Sequence, residues 1–187
     1  MRKLSGLILL ALLVPAVVLA NRYTDTVALF KNAGQSAGFF ANCYGYAVFP
    51  TIGKGGFIAG GAHGTGRVYE HGKYIGDTSM NQLSVGLQLG GQVYSQIIFF
   101  EDKRALDRFT AGNFEFDASA SAVAITAAAT SSAGTTGASA SASGGMHDAV
   151  TSGHYFRGVA VFTIVKGGAM YEAAIAGQKF SYEKRSE

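Results

Sequence analysis

Hydrophobic and polar positions follow three regimes along the chain. Leu7 to Val14 is an unbroken apolar run, preceded by Arg2 and Lys3 and closed by Pro15. Between residues 21 and 44 the apolar positions Val27, Phe30, Ala37 and Ala41 recur at helical spacing, and Phe39 and Phe40 add apolar surface near the end. Thr24 or Asp25 can cap this segment, because a side-chain oxygen there accepts from a free amide of the first turn. Gly34 and Gly38 each cost a helix about 1 kcal/mol relative to Ala. The segment therefore reads as two short helices or one broken one.

From Tyr44 onward the period drops to two. Tyr46–Phe49 reads as a short strand ended by Pro50, and a glycine-punctuated stretch runs from Gly53 to Gly66. Arg67–Glu70 and Tyr74–Ile75 flank His71-Gly72-Lys73 as a hairpin. Leu83–Leu89 alternates, and Ile97–Phe100 reads as a buried strand. Glu101–Thr110 is the clearest helix: acidic residues stand at its positive end, Leu106 and Phe109 form its inward pair, and Gly112 follows the last turn. Phe114 and Phe116 resume a strand. Residues 117–145 are rich in Ala, Ser, Thr and Gly; small residues alternate up to Ile125, and 131–145 reads as a flexible loop. Gly158–Val165 and Ala169–Ala176 read as a hairpin around Lys166-Gly167-Gly168, and Phe180 and Tyr182 close the chain. The sum is an α+β fold: a strongly bent antiparallel sheet or small β-barrel with one or two flanking helices.

Composition narrows the class. The 187 residues suit one domain, and 14% charged with 48% hydrophobic residues excludes a solvated disordered chain. A single cysteine excludes an intrachain disulfide framework and any CxxC site. Residues 1–20 read as a signal peptide: a basic start, a short apolar core, and small residues ending in Ala20. The domain is then 21–187, exported to the periplasm or secreted. The same segment left uncleaved would act as an anchor. No cysteine stands directly after the apolar core, and Cys43 lies too far along, so a lipoprotein anchor is not expected. Loss of Arg2 and Lys3 reduces 15 basic residues to 13 against 12 acidic ones, which leaves no nucleic-acid footprint.

No reaction centre emerges from the spacing of reactive residues. Gly53-Lys54-Gly55-Gly56 lacks the pattern of a nucleotide phosphate loop; its glycines either bend a curved sheet or form a backbone nest for an anion. His63, His71, His147 and His154 lack metal-ligand spacing. Ser79, His63 and Asp77 could be drawn as a triad, but no GxSxG supports it. Cys43 reads as a small buried hydrophobe; a nucleophile or an intermolecular disulfide are the other roles open to it. Glu70, Asp77, Glu101, Glu115 and Glu172 are scattered. The expectation is a non-enzymatic protein without a cofactor.

The stretch Tyr44–Phe57, continued by Gly60–Tyr69, resembles the opening signature of the SYLF lipid-binding domain. Gly86–Phe100, Gly158–Phe162 and Lys166–Glu172 are similar to later parts of the same family, so the resemblance covers about Gln35 to Tyr182. It implies a membrane-associated lipid-binding module. Eukaryotic members are associated with phosphoinositides and in some cases actin, often through a basic amphipathic N-terminal helix; here that region carries Arg22 and Lys31. The expected function is binding of anionic phospholipid or phosphoinositide-like headgroups at the bacterial envelope. The alternative is an envelope structural or stress protein working through protein contacts. Lys54, Arg67, Lys73 and Lys166 are all expected in or near turns. The expected lipid-binding residues are Lys54, Lys31, Arg67 and Lys166 as a basic rim, with Phe39 and Phe40 exposed for insertion at headgroup depth. N-terminal sequencing of the exported protein should begin at Asn21, and a mature chain that retains Met1 contradicts the secretory reading.

Overall fold

The computed structural model of the chain describes residues 14–56, 59–85, 90–117, 122–125, 154–168, 175 and 177–186. The N-terminal segment forms helix α1 (Val14–Asn32) followed by two single turns, α2 (Gly34–Ala37) and α3 (Phe39–Asn42). Four long strands follow: β1 (Gly45–Gly56), β2 (Ala59–Glu70), β3 (Lys73–Val85) and β4 (Gly90–Phe100). Helix α4 (Lys103–Thr110) leads to β5 (Phe114–Glu115), β6 (Val123–Ile125), β7 (Val159–Gly168) and β8 (Gln178–Lys184). The strands form one sheet in the order β5-β8-β3-β2-β1-β4-β7-β6. Every pairing is antiparallel except β6 with β7, which is parallel.

The sheet is strongly curled. β4 and β8 stand four places apart, which on a flat sheet is about 19 Å at the usual strand spacing. Yet Gln96 Nε2 of β4 donates to Gln178 Oε1 of β8 at 2.9 Å. The Phe49 ring of β1 likewise meets Phe180 of β8 at 5.6 Å between centroids. Two apolar clusters follow from this shape. The inner one joins Phe49, Ile52, Met80, Ile98, Phe100 and Phe180 to Ala105, Leu106 and Phe109 of α4. The outer one joins Val48, Ile97, Phe99, Phe162 and Ile164 to Tyr23 and Phe30 of α1. The sheet is therefore buried on both faces, with α4 inside the curl and α1 outside it.

A bulge in β1 sets the pattern of the centre. Ala47 and Phe49 point inward and Val48 outward, as alternation requires. The next inward residue is Ile52, and the register slips against both β2 and β4 across Pro50-Thr51. Pro50 has no amide hydrogen and cannot serve a ladder from a central strand, so the bulge is the means of placing it there. Its carbonyl accepts from Ser95 Oγ at 2.8 Å and Lys166 Nζ at 2.7 Å. The expected stop at Pro50 is thus corrected: β1 runs on to Gly56 because partners on both sides hold it.

Other local expectations hold. His71 and Gly72 have φ of 46° and 79°, the two positive values of a tight hairpin turn between β2 and β3. Asp102 caps α4 by accepting from the Ala105 amide at 2.8 Å, and Gly112 at φ 85° ends the segment. The broken N-terminal helix is present, but α1 passes through Thr24 and Asp25 from Val14, so neither caps it. Lys166-Gly167-Gly168 is no turn; it is the end of β7, paired with β4. Of its expected returning arm, only Ile175 is described. The expected flexible loop 131–145 lies outside the described residues, as do residues 86–89 of the alternating segment.

Close approach explains particular glycines. A Cβ on Gly66 would stand 2.7 Å from the Phe49 ring and 2.9 Å from the Val48 carbonyl, and on Gly64 it would stand 2.6 Å from Ile52 Cγ1. The inward side chains beside the bulge lie directly over β2. At Gly55 a Cβ meets nothing within 4 Å, and at Gly61 only the Gln82 carbonyl at 3.5 Å. The steric demand for glycine beside the bulge therefore falls at Gly64 and Gly66, and elsewhere in the sheet at Gly45 against the Tyr69 carbonyl and Gly76 against the Glu183 carbonyl, but not at Gly55 or Gly61. Gly66→Ala is expected to cost about 1–3 kcal/mol through overpacking, a fall of several degrees in thermal midpoint, whereas Gly55→Ala should leave the midpoint nearly unchanged. Equal midpoints for the two variants would contradict this packing.

Candidate functional site

Helix α1 lies along the outer face of the sheet because Tyr23, Thr26 and Phe30 recur at helical spacing and are buried, and Ala33 directly after the helix is buried with them. Its Lys31 end lies near the β2–β3 turn, and its Arg22 end lies over the β1 bulge. A groove of about 320 Å³ opens there between Arg22, Asp25, Leu29, Pro50 and Lys166. Arg22 Nη2 donates to Thr51 Oγ1 at 3.1 Å. Lys166 Nζ donates to the Pro50 carbonyl at 2.7 Å. The bulge thus anchors one basic side chain on each of its two residues. The Lys166 ammonium is held below its usual pKa, first by desolvation and then by the charge of Arg22. Among the described residues, none of Arg22, Lys166 and Asp25 takes part in an ion pair.

A second groove of about 340 Å³ lies at the other end of α1, bounded by Lys31, Phe40, Cys43, Tyr44 and His71. Lys31 Nζ lies 5.4 Å from the Phe40 ring centre, a cation–π contact. The Tyr44 hydroxyl donates to Glu70 Oε1 at 2.8 Å and its ring meets His71 at 4.3 Å. Burial pushes the Cys43 thiol up, which keeps it protonated and a poor nucleophile.

The expected basic rim is not assembled. Lys31 and Lys166 are exposed on the α1 side. Lys54 is 7% exposed and shares the inner face with Ile52, so it does not reach outward from a glycine turn. Strand alternation overrides the local glycines: two residues beyond inward Ile52, its side chain must point into the curl. Arg67 is on the outer face but spent on packing. Its guanidinium lies 4.3 Å from the Tyr23 ring centre and 4.8 Å from that of Tyr74, and its Nε is 3.7 Å from Asp77. Arg67 and Lys73 belong to the end with the His71-Gly72 turn, whereas Lys54 and Lys166 belong to the opposite end. Phe39 and Phe40 are half-buried and face the sheet. Phe39 packs on Phe99 and Phe162 at 5.4 and 5.0 Å, and Phe40 on Phe99 at 4.8 Å.

The sequence reading gave no site role to Asp25, Leu29, Pro50 or the Thr51 hydroxyl beside them, and did not bring Arg22 together with Lys166. The signal that was there is the proline inside a strand pattern, which marks a bulge. The residues that resembled a hydrolytic set are engaged elsewhere: His63 Nδ1 with Asn81 Oδ1 at 2.8 Å, Ser79 Oγ with Ser181 Oγ at 2.7 Å, and Asp77 with Tyr74 and Arg67. Among the described residues no three metal-ligating side chains come together. No described helix is long and apolar enough to cross a membrane.

The fold is an α+β domain: a curled sheet buried on both faces, with a helix along its outside and a groove at each end of that helix. The chain belongs to the Ysc84 family, described as "Las17-binding protein actin regulator", whose model matches residues 81–186. It is also 29% identical over 173 residues to beta cell expansion factor A of Aeromonas veronii, a match covering 90% of this chain and 58% of that protein. The chain thus spans less than two thirds of the length of this relative.

Burial sets the alkaline behaviour of this surface. The phenols of Tyr46, Tyr74 and Tyr94 are each pushed up to about 12, chiefly by desolvation. A phenol with a raised folded pKa contributes stability that is complete below its unfolded value of about 10 and is lost as pH rises through the folded value. The stability of the protein should therefore decline between about pH 10 and 12, and ultraviolet titration should show these phenolates appearing late. Ionisation of every tyrosine near pH 10 in the folded protein would contradict the packing of Tyr46, Tyr74 and Tyr94.

Proposed function

We propose that this is an exported, non-enzymatic protein of the bacterial envelope that binds phospholipid membrane surfaces with its α1 side. One observation carries the reading: Arg22, Lys31 and Lys166 stand on that side without carboxylate partners among the described residues. Elsewhere Arg67, Lys103, Arg104, Arg157 and Lys179 each lie beside a carboxylate. Among the described residues Lys73 and Arg185 also lack an ion pair, Arg185 lying over the Tyr74 ring; what sets Arg22, Lys31 and Lys166 apart is that they line the two grooves along α1, and family membership supports a binding role.

Each basic side chain near an anionic surface contributes about 1 kcal/mol, so three give on the order of 3 kcal/mol. That falls short of the 4.1 kcal/mol of a millimolar dissociation constant. Charge steers and orients the protein, and contacts with individual headgroups must add the rest. Binding is thus peripheral, reversible and sensitive to salt. The full chain should float with phosphatidylcholine vesicles containing phosphatidylglycerol and much less with phosphatidylcholine alone. Lys31→Glu with Lys166→Glu should cut the bound fraction several-fold, with the thermal midpoint followed as the folding control because Lys166 also donates to the Pro50 carbonyl. Equal flotation on both vesicles, or no effect of the double variant, overturns the α1-side reading and leaves a protein partner as the better one.

A further inference from the structure

The groove over the β1 bulge carries both signs of charge. Arg22 and Lys166 are anchored by their Thr51 and Pro50 contacts, so their free N–H groups are presented from fixed positions. Asp25 lies one helical turn beyond Arg22 on the same helix and lines the same groove. Leu29 and Pro50 supply an apolar wall. A bare anion would meet two cations but also the Asp25 carboxylate. A phosphate ester bearing a primary ammonium two carbons away satisfies both signs at once.

We infer that this groove binds a phosphoethanolamine group, with its phosphate across Arg22 and Lys166 and its ammonium on Asp25. The inference deepens the membrane reading above and, for its lipid source, rests on it. The guanidinium offers a planar fork to two phosphate oxygens and the ammonium offers a point charge to a third. Desolvation at Lys166 strengthens the attraction to a phosphate, because the ammonium is already partly removed from water. The aliphatic stem of Leu29 faces the carbons between ester and amine. The groove therefore selects by charge pattern, not by net charge.

The test uses the full chain and two soluble probes, phosphoethanolamine and glycerol 3-phosphate, followed by backbone amide shifts of Leu29, Thr51 and Lys166. Phosphoethanolamine should bind about threefold more tightly, the scale of one exposed charge pair. Asp25→Asn should erase that preference while keeping phosphate binding. Arg22→Gln with Lys166→Gln should weaken both probes by about tenfold or more, the scale of a charge-assisted hydrogen bond, with the thermal midpoint as the folding control. A preference that survives Asp25→Asn, or a double variant that binds like the native chain, overturns the inference. The source is read separately by flotation on phosphatidylcholine vesicles with and without phosphatidylethanolamine, which differ little in net charge. A gain with phosphatidylethanolamine that Asp25→Asn removes assigns the ligand to a lipid headgroup. Selective binding of the soluble probe without that gain assigns it to a free phosphate ester and counts against the membrane reading alone. Soluble-probe binding that no groove variant alters, with flotation on anionic vesicles that still falls in Lys31→Glu with Lys166→Glu, overturns the groove and leaves the membrane reading standing.

Discussion

The Pro50-Thr51 bulge in β1 is the constraint on which the rest of the structure depends. A proline in a central strand leaves a ladder position without a donor, and the extra residue lets Phe49 and Ile52 both face inward. Those two side chains fill the curl over Gly64 and Gly66, which have room for no side chain of their own. On the outer face the same irregularity frees a carbonyl and a hydroxyl. Ser95 and Lys166 take the Pro50 carbonyl, and Arg22 takes the Thr51 hydroxyl. One local deviation thus packs the core and positions the two cations of the groove.

The two-sided burial of the sheet decides where binding can occur. The inside of the curl is filled by α4 and the Phe49–Phe180 cluster, and three of its polar side chains are bonded to one another: Gln178 reaches both Gln96 and Tyr94 at 3.2 Å. The outside is covered by α1 only along part of its width. Tyr23 stacking on Arg67 fixes the helix against β2, and Phe30 fixes it against the outer cluster. The helix edges, and not a cavity within the curl, therefore form the grooves. The expected cleavage after Ala20 would fall within α1, immediately before Asn21 and Arg22, so export processing would leave the groove at the very start of the mature chain.

What the sequence made legible was local. His71-Gly72 announced its turn, Asp102 and Gly112 announced the bounds of α4, and Gly34 and Gly38 announced a broken helix. Each rests on chemistry within a few residues. What stayed hidden depends on pairing across the fold. Pro50 reads locally as a stop, but β2 and β4 carry the strand past it. Lys54 reads locally as an outward lysine between glycines, but register with Ala62 and Gln92 turns it inward. Arg67 looks free until Tyr23, 44 residues earlier, and Tyr74 enclose it. The groove joins Arg22, Pro50 and Lys166, and the last two are 116 residues apart, so no spacing rule could bring them together. The family resemblance was legible for a different reason. It rests on the order of glycines and aromatics, which the close approaches at Gly64 and Gly66 impose.

The α1 side, organised by the β1 bulge, is the surface proposed to meet the membrane. Paramagnetic broadening of backbone amide signals by vesicles carrying a nitroxide on the lipid headgroup reads this directly. Broadening is expected at Arg22, Leu29, Thr51 and Lys166, with Lys103–Thr110 of α4 on the other face of the sheet left sharp. Broadening centred on α4, with Arg22 and Lys166 unaffected, would contradict it.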